Sequence, residues 1–182
     1  MSMGTAAVAA LGEGRALRNA LAQFATGVAI VTARDDRGRR AGVTINSFAS
    51  VSLAPPLVLW SLGATAASRP VFEAADCHAI NVLAEGQGTL AQRFAAREAD
   101  RLAGVPLREG AFGALLVDGA LAHFVCRVQE RRAIGDHLLF VCEVLDHVYE
   151  RGAPLVFHGS RYRSLGAFID VRARALSAVS AK

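Results

Sequence analysis

Gly42-Val43-Thr44-Ile45-Asn46-Ser47-Phe48-Ala49-Ser50-Val51-Ser52-Leu53-Ala54-Pro55-Pro56-Leu57 crowds short hydroxyl and amide side chains between apolar residues that favour strands. Alternation over Val43 to Ser47 predicts a strand with one buried face. The Pro55-Pro56 pair then interrupts regular pairing before Leu57-Val58-Leu59-Trp60 opens another strand. Thr44, Asn46, Ser47, Ser50 and Ser52 therefore fall at the end of a sheet, with Val43, Ile45, Phe48, Val51 and Leu53 supplying the packing. A flat heterocycle with carbonyl and ring-nitrogen edges finds backbone N–H groups and side-chain oxygens there, each hydrogen bond worth about 0.5–1.5 kcal/mol net. An ordinary Ser/Thr-rich loop has the same composition.

Working outward, Arg15 to Phe24 reads as a helix whose Leu17, Leu21 and Phe24 make one apolar stripe, ended by Gly27. Val28 to Ala33 and Ala41 to Ser47 form a hairpin across Asp35-Asp36-Arg37-Gly38, and Leu57 to Leu62 adds a third strand. Ala66 to Ala75 is helix-like with Pro70 near its start, Cys77 to Leu83 is a strand, and Thr89 to Ala96 is a helix that Thr89 caps. Residues 97 to 113 read as a loop. Ala120 to Arg132 and Leu138 to Tyr149 are long strands, and Pro154 to His158 begins a last one. The expected fold is mainly β with short helices, an antiparallel sheet closed so that no edge is exposed. Residues 1–14 read as a tail, 15–168 as the domain and 169–182 as a second, alanine-rich tail.

The chain of 182 residues carries a net charge of +4, nearly all of its cations being arginine, since Lys182 is the lone lysine. The charge is spread out and no aromatic-basic stripe accompanies it, which argues against nucleic-acid binding. No uninterrupted apolar run is long enough for a membrane span. Cys77, Cys126 and Cys142 are odd in number and widely spaced, the pattern of reduced thiols in a cytoplasmic protein, and no His/Cys spacing suggests a metal.

The Thr44 to Leu57 run, together with Phe24 to Thr32, Ile80-Asn81-Val82-Leu83 with Gln87, Leu90-Ala91 and Phe94-Ala95, Gly135-Asp136-His137, and Pro154 to His158 with Tyr162, resembles the short flavin reductases of two-component monooxygenases. The likeness spans about Leu17 to Leu165. It implies an antiparallel FMN-binding split barrel, reduction of FMN or FAD by NADH or NADPH through hydride transfer to flavin N5, and a homodimer that supplies reduced flavin to an oxygenase component. It also implies flavin contacts from Thr44, Asn46, Ser47, Phe48, Ser50, Val51, Ser52, Ser68, Asn81, Val82, Leu83, Gln87 and Phe94. His137 would position the nicotinamide, with Asp136 orienting it and Tyr162 on the same side. Flavoproteins of this fold that retain their flavin for another substrate, or bind it without turnover, share these motifs.

Overall fold

The computed structural model describes residues 14–96 and 101–166. Strands β2 (Ala29–Arg34) and β3 (Arg40–Ile45) make the first hairpin, as expected, and β4 (Ala49–Leu53) with β5 (Pro56–Gly63) make a second. β6 (Cys77–Val82) lies centrally, beside the long hairpin of β9 (Ala122–Ile134) and β10 (His137–Tyr149). Together these form a seven-stranded antiparallel sheet in the order β3-β2-β6-β9-β10-β5-β4. The short strands β1 (Thr26–Gly27), β11 (Val156–His158) and β12 (Arg161–Arg163) form a second sheet, and β7 (Leu107–Glu109) pairs with β8 (Leu115–Val117). Helix α1 covers 14–21, α2 Arg69–Ala74 and α3 Gly88–Ala95.

Local chemistry explains the elements. In β5, Val58, Trp60 and Leu62 are buried while the residues between them are only half-buried, the two-residue period of a strand with one face inward. The first hairpin is tied by Asp35, whose carboxylate accepts from the N–H groups of Arg37 (3.1 Å) and Arg39 (2.8 Å) and from the Arg39 guanidinium (2.6 Å). Gly38 turns the chain with φ of 76°, a conformation that glycine adopts without a Cβ clash.

The two larger core clusters sit against the sheet, with a smaller third formed by Ala79, Ala114, Leu116 and Val125. In the first, Trp60 stacks on Phe140 with ring centroids 4.4 Å apart, and Phe72 and His78 meet these rings edge-on. In the second, α3 lays Ala91 and Phe94 against Val28, Ile30, Leu83 and Leu155. Helix α3 comes so close to β3 that a Cβ on Gly42 would stand 2.3 Å from a Phe94 ring carbon. Between the layers Asn81 is a polar hub. Its Nδ2–H donates to the Ile30 carbonyl (2.9 Å), and its Oδ1 accepts from the Val117 N–H (3.0 Å) and from the His123 Nδ1 (2.8 Å).

Several expectations are corrected. The sheet is not closed by backbone pairing, since β3 and β4 are its edges. Ser47 ties the seam: its hydroxyl accepts from the Ser61 N–H (3.0 Å) and donates to the Ser61 carbonyl (3.3 Å). Ala49 to Leu53 is a strand, because the prolines fall in and just after its turn instead of within it. Leu107–Glu109 pairs with Leu115–Val117 where a loop was expected. Gly27 joins β1. Helix α3 starts at Gly88 with Gln87 at its cap, so Thr89 lies inside it. The stripe of Leu17, Leu21 and Phe24 is 60%, 65% and 78% exposed among the described residues instead of being the buried face of its helix. The expected tails fall almost wholly outside the described residues.

Candidate active site

The site lies at the seam. Strand β4 covers β5 from Pro56 to Leu59 and no further, so among the described residues no strand pairs with the Ser61 to Gly63 end of β5 on that side. The end of β3 and the turn after it face this gap. They enclose a cleft of about 200 Å³ lined by Val43 to Ser47, Ser61 to Gly63 and His137. On the other side of the same lip, Val28, Thr44, Ile45, Asn46, Ala95, Phe157 and Tyr162 line a second cleft of about 170 Å³. Thr44, Ile45 and Asn46 wall both, and the two together reach the lower end of the ~300–1,000 Å³ usual for small-molecule sites.

The polar groups in these walls differ in what they have left to offer. Thr44 donates its hydroxyl to the Ala91 carbonyl of α3 at 2.8 Å, and Ser47 is engaged with Ser61. Asn46 is exposed and its amide has no hydrogen-bond partner among the described residues. His137 opens β10 after Gly135, whose φ is 56°, and is held by its neighbour, with Nδ1–H donating to Asp136 Oδ1 at 2.7 Å. That bond keeps the Asp136 carboxyl below its ordinary range, and it leaves Nε2 as the free ring nitrogen. Across the lip, Tyr162 meets Phe157 edge-to-face at 5.6 Å, and burial raises the pKa of its hydroxyl.

Of the set expected from sequence, Thr44, Asn46, Ser47 and His137 line the first cleft, and Thr44, Asn46 and Tyr162 line the second. The rest of the expected set lies elsewhere. Phe48 packs on Phe124 with centroids 5.4 Å apart. Ser50, Val51 and Ser52 sit on β4 and line neither cleft; Ser52 faces Leu57, four residues along β5 from Ser61 and thus roughly 13 Å away, and its Oγ takes the Ala54 N–H at 3.2 Å. Asn81, Leu83 and Phe94 have no accessible surface and hold the cores together, while Val82 pairs with Ala29 and Ala122. Gln87 has both amide ends engaged, accepting from the Ala84 N–H (3.0 Å) and donating to the Asp118 carbonyl (2.8 Å). Ser68 precedes α2 with a buried hydroxyl that has no partner among the described residues.

Sequence reasoning passed over Ser61, Gly63 and Phe157. Their only signal was position, at the end of a strand opposite the Gly-Asp-His turn and just after Pro154-Leu155. Among the described residues no group of three or more His, Cys, Asp and Glu side chains is placed to hold a metal ion, and no helix is long and apolar enough to cross a membrane.

Comparison with known proteins agrees with this architecture. The chain is 45% identical over 150 residues to the actinorhodin polyketide dimerase of Streptomyces coelicolor, covering 82% of this chain and 85% of that protein. It is 41% identical over 148 residues to the FMN reductase (NADH) SmoA of Agrobacterium fabrum, covering 81% and 84%. The structure superposes with a TM-score of 0.79 on the Streptomyces globisporus NADH:FAD oxidoreductase SgcE6 in complex with NAD and FAD fragments, at 35% identity, covering 85% of this chain and 93% of that one. Residues 21–166 match the model of the flavin reductase like domain, and the chain belongs to that family.

Proposed function

We propose that this flavin reductase binds FMN or FAD in the seam, takes a hydride from NADH or NADPH to flavin N5, and releases the reduced flavin to an oxygenase component. The observation that carries the reading is the lip of Thr44, Ile45 and Asn46, shared by a polar cleft at His137 and a more apolar one at Tyr162. A flat tricyclic ring with an imide edge fits such a place. The unspent Asn46 amide supplies both a donor and an acceptor for that edge, and Val28, Ile45 and Phe157 give the ring apolar surface to lie on. Flavin, when bound, supplies the redox chemistry, and the protein's share is position and electrostatics. His137, fixed by Asp136, presents Nε2 to the carboxamide of the nucleotide and orients it. Its orientation is what matters, since hydride transfer requires no proton from the ring that gives the hydride.

The buried Ser68 hydroxyl and the hydroxyls of Ser50 and Ser52 are assigned no ring contact in this reading. A homodimer in the cytoplasm completes it. It is supported by the exposed Leu17, Leu21 and Phe24 stripe, by Leu53 on the edge strand, and by three free thiols. The likeness to the polyketide dimerase supports a second reading of the recipient, in which the reduced flavin serves the dimerisation of a polyketide.

Anaerobic stopped-flow mixing of FMN and FAD with NADH and NADPH tests the activity. The expected outcome is bleaching of free flavin absorbance at many turnovers per protein. A single turnover limited to co-purified flavin would instead identify a retained prosthetic group and discard the release step. Asn46→Ala is expected to raise the flavin Kd about tenfold, the equivalent of about 1.4 kcal/mol.

A further inference from the structure

The uncovered end of β5 carries more than side chains. In an antiparallel pair, residues alternate between those whose N–H and C=O face the partner strand and those whose N–H and C=O face away. Ser61 lies opposite Leu139 and Gly63 opposite His137, with Leu62 and Leu138 between. Both backbone groups of Ser61 are taken by the Ser47 hydroxyl, so they face away from β10. The Ala64 N–H donates to the Asp136 carbonyl at 2.9 Å, so that step faces β10. These two observations fix the phase. Gly63, between Leu62 and Ala64, turns its N–H and C=O toward the cleft it lines. Its carbonyl is satisfied by the Ala66 N–H at 3.0 Å. Its N–H has no partner among the described residues and points into the cleft beside His137.

Resting on the flavin-reductase reading, we propose that this strand edge is itself a ligand-binding element. Ser47 stands in for a missing strand at Ser61, and the Gly63 N–H is a backbone donor for a carbonyl oxygen of the bound ring system. Ser47 is then a positioning residue. A hydroxyl both donates and accepts, so it closes both groups of Ser61 while holding the lip at a fixed distance from β5. Two residues further along, no side chain among the described residues does this for Gly63, and the donor is kept for the ligand. The carbonyl has two sources, the imide edge of the flavin and the carboxamide of the nicotinamide.

Amide hydrogen exchange on ¹⁵N-labelled protein separates the outcomes. Without ligand, the Ser61 amide is expected to be protected at least tenfold and the Gly63 amide to exchange freely. Saturating FMN protects Gly63 if the flavin carbonyl is its acceptor. Protection that appears only when NAD⁺ is added to the FMN complex assigns the carboxamide. An unprotected Gly63 in both complexes, with binding verified by flavin fluorescence, overturns the proposal and leaves the flavin reading standing. Absence of FMN binding in the wild type overturns the flavin reading itself. Ser47→Thr and Ser47→Val, which differ by a hydroxyl in the same shape, test the clasp. The valine variant is expected to lose Ser61 protection and to raise the FMN Kd about tenfold, while the threonine variant stays within about twofold. Equal protection of Ser61 in the two refutes the role of Ser47, and if neither variant folds, fast exchange of Ser61 in the wild type does so.

Discussion

His78 makes acid stability a direct readout of the core. The imidazole is buried among Trp60, Phe72 and Phe140, with ring centroids at 5.3, 5.4 and 5.0 Å. Its Nε2–H donates to the Phe72 carbonyl at 3.1 Å, and Nδ1 has no partner among the described residues. A second proton on Nδ1 would therefore be an unpaired donor inside an apolar cluster. Burial, opposed by the Phe72 bond and reinforced by the Arg131 charge, pushes the pKa down from 6.5 to about 4. Because the folded value is depressed, the unfolded chain binds the extra proton first. The stabilisation from neutral His78 is complete above about pH 6.5 and is lost as pH falls toward 4, below which both states are protonated. At about 1.4 kcal/mol per tenfold in proton affinity, the full loss is on the order of 3 kcal/mol, of which about 2 kcal/mol falls between pH 7 and 5. For a chain of this length that is a fall in Tm of about 4–8 °C. Thermal melts followed by fluorescence of Trp60, the single tryptophan, report it in wild type and in His78→Phe. The phenylalanine keeps the ring and loses the Phe72 bond, about 1 kcal/mol at every pH. Carboxylates titrate in both proteins, so the difference between the two curves isolates His78. A stability difference that stays constant from pH 7 to 5 would refute the reasoning.

Three further outcomes are expected. His137→Ala should raise KM for the pyridine nucleotide at least tenfold while leaving the flavin Kd within about twofold by fluorescence titration; equal defects in both would discard its role at the nicotinamide. Asn81→Leu should cost about 2–4 kcal/mol in urea unfolding, since it orphans the Ile30 carbonyl, the Val117 N–H and the His123 ring, and a loss under 1 kcal/mol would show that these groups re-pair. Gly42→Ala should destabilise by about 1–3 kcal/mol by driving a methyl into Phe94, and Phe94→Leu in the same chain should recover part of the loss if that contact is the cause.

The outcome for each sequence expectation follows from the range of the interaction that decides it. The first hairpin was legible because Asp35 and Gly38 close it within four residues. The long β9–β10 pair was legible because its apolar runs flank a Gly-Asp turn. Short-range chemistry also marked Thr44 to Ser47 and His137 as special. The burial of Asn81 was not legible, because a polar residue in an apolar strand signals that it needs partners without saying whether they are a ligand or the fold. Here they are Ile30, Val117 and His123, drawn from three other segments. Gln87 moved from site to scaffold for the same reason, its amide being taken by Ala84 and Asp118, and Phe94 did so because an apolar helix residue packs equally on a ligand or a core.

Sequence alone determined the family motifs, the antiparallel strands and the polar lip, since propensity, turn chemistry and alternation act over a few neighbouring residues. Only the tertiary structure decided which of those polar groups remain free. That choice depends on register: the pairing of β4 with β5 stops at Leu59, Ser47 reaches Ser61, and Gly63 lies opposite His137 across paired strands more than seventy residues apart in the chain. A hydrogen-bonding group is available to a ligand only when no part of the fold has already claimed it, and that accounting closes only once the strands are in place.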